Sequence, residues 1–83
     1  MYTVYILHSQ TKSRFYIGQT NNLEDRIKRH NSAESLSTKS GVPWKLIYTI
    51  EFESRSEAVI LETKIKKRGA KRYLEDINFK YKM

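Results

Sequence analysis

Eighty-three residues without a cysteine make one small domain that can hold neither a disulfide nor a thiolate metal site, and cysteine-free chains suit a reducing compartment. No apolar run reaches membrane-spanning length, and the opening Met1-Tyr2-Thr3-Val4-Tyr5 lacks the charged start of a secretion signal, so we expect a cytoplasmic protein with no membrane partner. Sixteen lysines and arginines against nine acidic residues give a formal charge of +7, which on so small a body selects polyanions, nucleic acid first.

Along the chain, Tyr2 to His8 is dense in β-branched and aromatic residues and predicts a strand. Apolar groups on both of its faces place it centrally in a sheet. Ser9 to Ser13 is turn-like, and Arg14 to Gln19 predicts the second strand of a hairpin. Asn21 or Asn22 can cap a helix running to about Asn31, with Glu24 and Asp25 favouring its positive end. Ser32 to Gly41 predicts a loop. Trp44, Leu46, Tyr48, Ile50 and Phe52 alternate with mostly polar residues, which predicts a long strand with one buried face. Ser54-Arg55-Ser56-Glu57 has the form of a capping box. The helix it opens has Ala58, Leu61 and Ile65 as its core stripe and stops at Gly69. A last helix, about Ala70 to Ile77, offers Leu74 and Ile77 to the core. The expected fold is α+β (α/β in the broad sense): a three-stranded antiparallel sheet flanked by helices, in the order β-β-α-β-α-α.

Five side chains stand out against this frame. A hairpin pairing His8 with Ser13 sets Tyr5 directly opposite Tyr16, with Cβ atoms roughly 5 Å apart. Gly18 then lets backbone or ligand approach the strand end. Arg26 and His30 are i,i+4 neighbours near the buried stripe of Leu23 and Ile27. Glu62 borders the apolar stripe of the long helix, where a carboxylate is uncommon unless it is paired or binds a metal. Each residue alone has an ordinary explanation: core tyrosines, a solvated arginine, a histidine capping a helix end, a salt bridge from Glu62 to Arg26. Two phenols, a guanidinium, an imidazole and a carboxylate together suit metal-assisted phosphodiester hydrolysis. The run Lys64 to Arg72, with six basic residues in nine, continues the helix and supplies Lys64, Lys66, Lys67, Arg68, Lys71 and Arg72 as candidate nucleic-acid contacts.

These positions resemble those of the GIY-YIG endonuclease superfamily, in particular its small stand-alone bacterial members, over essentially the whole chain. The resemblance is carried by Tyr2 to Leu7, Phe15 to Thr20 with Tyr16-Ile17-Gly18, Leu23 to Asn31 with Arg26 and His30, Thr38-Lys39, Pro43 to Tyr48, and Ser56-Glu57-Ala58 leading to Glu62. Thr3 stands where the name-giving motif has glycine. The resemblance implies that Tyr5 is the general base or orients the attacking water, and that Tyr16 binds the scissile phosphate or the metal's water shell. Arg26 stabilises transition-state charge, His30 assists proton transfer or holds Tyr5 deprotonated, and Lys39 contacts a DNA phosphate. Glu62 is the sole protein ligand of one Mg2+ or Mn2+. One carboxylate is compatible with Mg2+, which keeps most of its waters and draws other oxygens from substrate. A tyrosine of pKa about 10 is a poor base near neutrality, so Arg26 and the metal are expected to lower it.

The leading expectation is a metal-dependent DNA endonuclease of repair or recombination, acting on branched, single-stranded or damaged DNA, with a protein partner as one source of target choice. The alternative is a non-catalytic nucleic-acid-binding module on the same scaffold. RNA is a third substrate class, disfavoured by the lack of an aromatic ribonucleoprotein motif and of a GXXG loop.

Overall fold

The computed structural model describes residues 1–32 and 39–80. Three antiparallel strands, β1 (Tyr2–Ser9), β2 (Arg14–Thr20) and β3 (Trp44–Phe52), form one sheet in the order β2-β1-β3. The central place of β1 follows from its two apolar faces, and the strand is buried from Thr3 to Ser9. One face, carrying Tyr5 and Leu7, is covered by α1 (Leu23–Asn31) through Leu23 and Ile27. The other, carrying Val4 and Ile6, is covered by α2 (Arg55–Arg68) and α3 (Ala70–Asp76) through Ala58, Ile65, Ala70, Tyr73 and Leu74. Fully buried aliphatic side chains such as Ile6, Leu7, Ile65 and Leu74 contribute roughly 1.5–3 kcal/mol each.

Local chemistry sets the helix ends. The Asn22 side chain accepts from the Asp25 amide at 3.2 Å, and the Ser54 hydroxyl accepts from the Glu57 amide at 3.3 Å. Gly69, at φ +93°, lets the chain leave α2 and start α3 at once. The expected element order holds throughout. No helix among the described residues is long and apolar enough to cross a membrane.

Three expectations are corrected. The hairpin loop is four residues long, but it lies one place later, with Ser9 opposite Arg14. Tyr5 therefore faces Gly18 and Tyr16 faces Leu7; the shift moves both strands by one, so the two tyrosines still share a face. Secondly, β3 does not bury one face along its length. Ile6 pairs with Tyr48 but Leu7 pairs with Leu46, leaving Ile47 as an extra residue at a bulge. An extra residue inverts the alternation. Trp44 thus packs with Tyr5 and Leu7 on the α1 side, whereas Tyr48 and Phe52 pack on the α2–α3 side. Thirdly, Ile77 is exposed at the end of α3. Asn78 adopts φ +55°, a conformation that asparagine tolerates better than most residues. The Phe79 amide bonds back to the Leu74 carbonyl, and its ring packs on Tyr48. Phe79, in place of Ile77, therefore joins Leu74 on the core.

Most of the predicted loop, 33–38 with Thr38, lies outside the described residues; Lys39–Gly41 forms a short 3-10 turn.

Candidate active site

Helix α1 is tied down at both ends, and that fixes two of the five candidate side chains. At its start, the buried Thr20 hydroxyl accepts from the Asn22 amide at 3.0 Å and donates to the Asn22 carbonyl at 3.3 Å. At its end, Asn31 grips the first residue of β3 twice. Its Oδ1 accepts from the Trp44 amide at 2.6 Å, and its Nδ2 donates to the Trp44 carbonyl at 3.1 Å. A side-chain amide is one of few groups able to offer donor and acceptor side by side to a strand edge. Asn31 was not singled out from sequence. Its signal was only an amide at a helix end beside His30, which composition cannot distinguish from a surface asparagine.

Held in this way, α1 brings Arg26 and His30 to Tyr5. His30 is buried, and its Nε2 lies 3.1 Å from the Tyr5 hydroxyl. Tyr16 stacks near Tyr5 with ring centroids 6.4 Å apart, lies 4.7 Å from the His30 ring and packs edge-on to Trp44. Burial pushes the Tyr5 phenol up to about 12, with the neighbouring Tyr16 and the Glu62 charge adding to the rise. Arg26 pulls the other way by charge and by hydrogen bonding, but burial prevails. Arg26 by itself therefore does not bring the expected lowering of the Tyr5 pKa: dry surroundings disfavour the phenolate more than one guanidinium favours it. His30 moves below its ordinary value, through burial and then through Arg26, so a neutral imidazole meets a neutral phenol.

Gly18 proves to serve Tyr5 itself. A Cβ at Gly18 would lie 2.5 Å from the Tyr5 hydroxyl oxygen and 2.7 Å from the ring carbon bearing it. Tyr5 is fully buried and has no room to swing aside. Gly18→Ala is expected to destabilise the fold by roughly 1–3 kcal/mol through overpacking, read by urea denaturation, and to break the Tyr5–His30 bond. An unchanged midpoint would show that the ring yields.

The pKa shifts also set a stability profile. Tyr5 and Tyr73, the latter 3.1 Å from the Tyr48 hydroxyl, are both raised from 10.0 to about 12. A raised folded-state pKa stabilises fully below the unfolded value and is lost as pH climbs through the folded one. The stability due to these phenols is thus complete below pH 10 and disappears toward pH 12. His30, being lowered from 6.5, contributes above that pH and loses its contribution as pH falls through the depressed value. Urea midpoints from pH 5 to 12 test both arms; a flat alkaline arm would show that the phenols are solvated.

Glu62 reaches this group from α2 and the other layer. Its side chain is only 18 % exposed, its charge is felt at Tyr5, and its Oε2 lies 3.0 Å from Lys66 Nζ. The salt bridge expected with Arg26 is made with Lys66 instead, one turn along the same helix. The donor set suits a hard cation that keeps most of its waters: a single mostly buried carboxylate whose charge reaches the Tyr5 phenol. Among the described residues no group of three histidines, cysteines or carboxylates could enclose a metal, so substrate oxygens and water would complete the shell. A cation at Glu62 would compete with Lys66 for the same charge.

The basic run divides by role. Lys66 pairs with Glu62, and Arg68 grips Asp76 through two bonds of 2.7 and 3.0 Å, holding that carboxyl below its ordinary range. Lys64, Lys67 and Arg68 rim a groove of about 610 Å³ between α2 and α3, with Ile60, Tyr73 and Ile77 among its walls. Lys71 and Arg72 are exposed on α3, and Lys39 opens the 3-10 turn before β3.

With this geometry established, three comparisons bear on it. The profile described as the GIY-YIG catalytic domain matches residues 1–77. A UPF0213 protein of Clostridium perfringens is 42% identical over 78 residues, covering 93% of this chain and 83% of its own. A UPF0213 protein of Staphylococcus haemolyticus is 41% identical over 64 residues, covering 76% of this chain and 77% of its own. Among solved structures, the solution NMR structure of a UPF0213 protein from Bacillus halodurans superposes with a TM-score of 0.58 at 29% identity, covering 94% of this chain and 84% of that one.

Proposed function

Because the chain belongs to the GIY-YIG catalytic domain family, a family of nuclease type, we propose that it is a metal-dependent endonuclease hydrolysing phosphodiester bonds of DNA, with branched, single-stranded or damaged strands of repair or recombination as its substrates. The observation that carries this reading is the meeting at one phenol, Tyr5, of a neutral imidazole and a guanidinium from α1 with a carboxylate charge from α2.

In this reading Tyr5 works through His30. The attacking water passes a proton to the Tyr5 oxygen as the Tyr5 proton moves to His30 Nε2, so no free phenolate needs to accumulate. His30 suits that role because its lowered pKa keeps it unprotonated near neutrality. Arg26 offers its planar fork to the charge growing on the phosphoryl oxygens, and Tyr16 hydrogen-bonds a phosphoryl oxygen. The leaving oxygen takes its proton from solvent. A divalent cation, Mg2+ or Mn2+, held by Glu62 would supply electrostatic stabilisation of the phosphoryl oxygens.

The test is cleavage of plasmid, single-stranded and branched DNA with Mg2+ or Mn2+, against EDTA. EDTA-sensitive cleavage is expected. Binding without cleavage on every substrate would favour the non-catalytic module, a reading supported by the Lys66 ammonium now lying on Glu62. Turnover that appears only when a second protein is added would assign target choice to a partner.

A further inference from the structure

Beside the Tyr5 group, at the end of the sheet where β1 starts and β2 stops, lies a polar recess of about 240 Å³ lined by Tyr2, Gln19, Thr20, Asn21, Arg26 and Arg55. It draws on every layer of the fold: Tyr2, Gln19 and Thr20 from the sheet, Arg26 from α1 and Arg55 from the first position of α2. Among the described residues no carboxylate lines it. Among the described residues the ion pairs engage Arg29, Lys66 and Arg68, and neither Arg26 nor Arg55 takes part in one. Two guanidiniums lining one recess, neither of them in an ion pair, make it a place for an anion. The space holds about eight waters at ~30 Å³ each, which is room for one phosphodiester group with its hydration. Guanidinium forks match phosphate oxygens bidentately, and the amides of Gln19 and Asn21 add neutral donors.

We propose that this recess is a second phosphate subsite, in which Arg55 binds the phosphodiester next to the one at Tyr5, so that Arg26 serves two successive phosphates of one strand. The proposal rests on the phosphodiester-cleaving reading for the neighbouring site, but it names a residue and a ligand position that the Tyr5 group does not require. Arg55 is a binding residue and takes no proton. Its position also gives the strand a direction across the protein, from the His30 side of Tyr5 toward the start of α2.

The test measures affinity in EDTA, where cleavage is blocked, by fluorescence anisotropy of a fluorescein-labelled 20-base-pair duplex and of its single strand. Arg55→Gln is expected to weaken duplex binding about tenfold at 0.1 M salt and to lower the slope of log K against log salt by about 0.9, the share of one phosphate contact. Arg55→Lys, a point charge without the fork, should restore the slope but only part of the affinity. Lys12→Gln removes the same charge at the far end of β1, within the loop 10–13, and should change affinity by less than about twofold. Arg55 is exposed, so its variants should keep the thermal midpoint of the wild type. If Arg55→Gln binds like the wild type, or no worse than Lys12→Gln, the subsite is overturned, whatever the cleavage assay shows. If binding depends on Arg55 but the wild type never cleaves with Mg2+ or Mn2+, the subsite stands and the nuclease reading falls. A wild type that binds neither probe overturns both.

Discussion

Tyr5→Phe is expected to abolish cleavage, by at least the ~10²-fold that a positioned acid–base group contributes, while DNA affinity stays within about twofold of wild type. The substitution removes one oxygen from a fully buried ring and leaves the packing against Gly18 intact. It also removes the 3.1 Å bond to His30 Nε2, a loss of about 0.5–1.5 kcal/mol. Cleavage should therefore be assayed at a temperature where circular dichroism shows the variant folded. The pH profile separates two ways in which Tyr5 can act. A phenol at about 12 is ionised in roughly one molecule in 10⁴ at pH 8. A mechanism requiring that free phenolate predicts a rate rising about tenfold per pH unit from 7 to 9. The relay through His30 predicts a rate that climbs only through the depressed histidine pKa, below 6.5, and is flat above it. Equal cleavage by the variant and the wild type would remove Tyr5 from the chemistry.

The features legible in the sequence were those governed by local rules. Period and composition gave the elements, and the caps at Asn22 and Ser54 follow from side chains that compete for orphan amides. The resemblance to a family supplied the grouping of the five candidate residues. What the sequence hid depends on long-range registration. A four-residue loop can start at Ser9 or at Gln10 without changing the face shared by Tyr5 and Tyr16, so the pattern alone could not choose between them, although the choice decides that Gly18 makes room for Tyr5. Likewise the alternation of β3 looks uniform, yet one inserted residue at Ile47 sends Trp44 to the α1 layer and Tyr48 to the other. The direction of the Tyr5 pKa shift was also hidden, because spacing reveals nearby charges but not the depth of burial that outweighs them. Arg55 went unremarked for a related reason: it lines a recess with Arg26 only because α1 and α2, on opposite faces, both begin at the same end of the sheet.

Glu62→Ala is expected to lose cleavage in Mg2+ or Mn2+ by a factor of at least ~10², the scale on which removing one electrostatic stabiliser acts, while DNA binding in EDTA holds or strengthens. The opposite signs are the informative part. Removing Glu62 frees Lys66, its partner at 3.0 Å, and takes one negative charge from a surface that must approach a polyanion. A helical ion pair of this kind contributes ~0.3–0.5 kcal/mol, so the thermal midpoint should barely move. Loss of cleavage cannot be assigned to Tyr5 either, because the Glu62 charge raises the Tyr5 pKa and its removal lets the phenol give up its proton more readily. On the proposed reading, what is left is the carboxylate as cation ligand. A readout independent of turnover follows: Mn2+ should broaden the amide resonances around Glu62 in the wild type and leave them sharp in Glu62→Ala. If the variant cleaves at the wild-type rate and remains sensitive to EDTA, the cation binds elsewhere. If it loses cleavage but Mn2+ broadens the same resonances, Glu62 acts on the reaction without holding the metal.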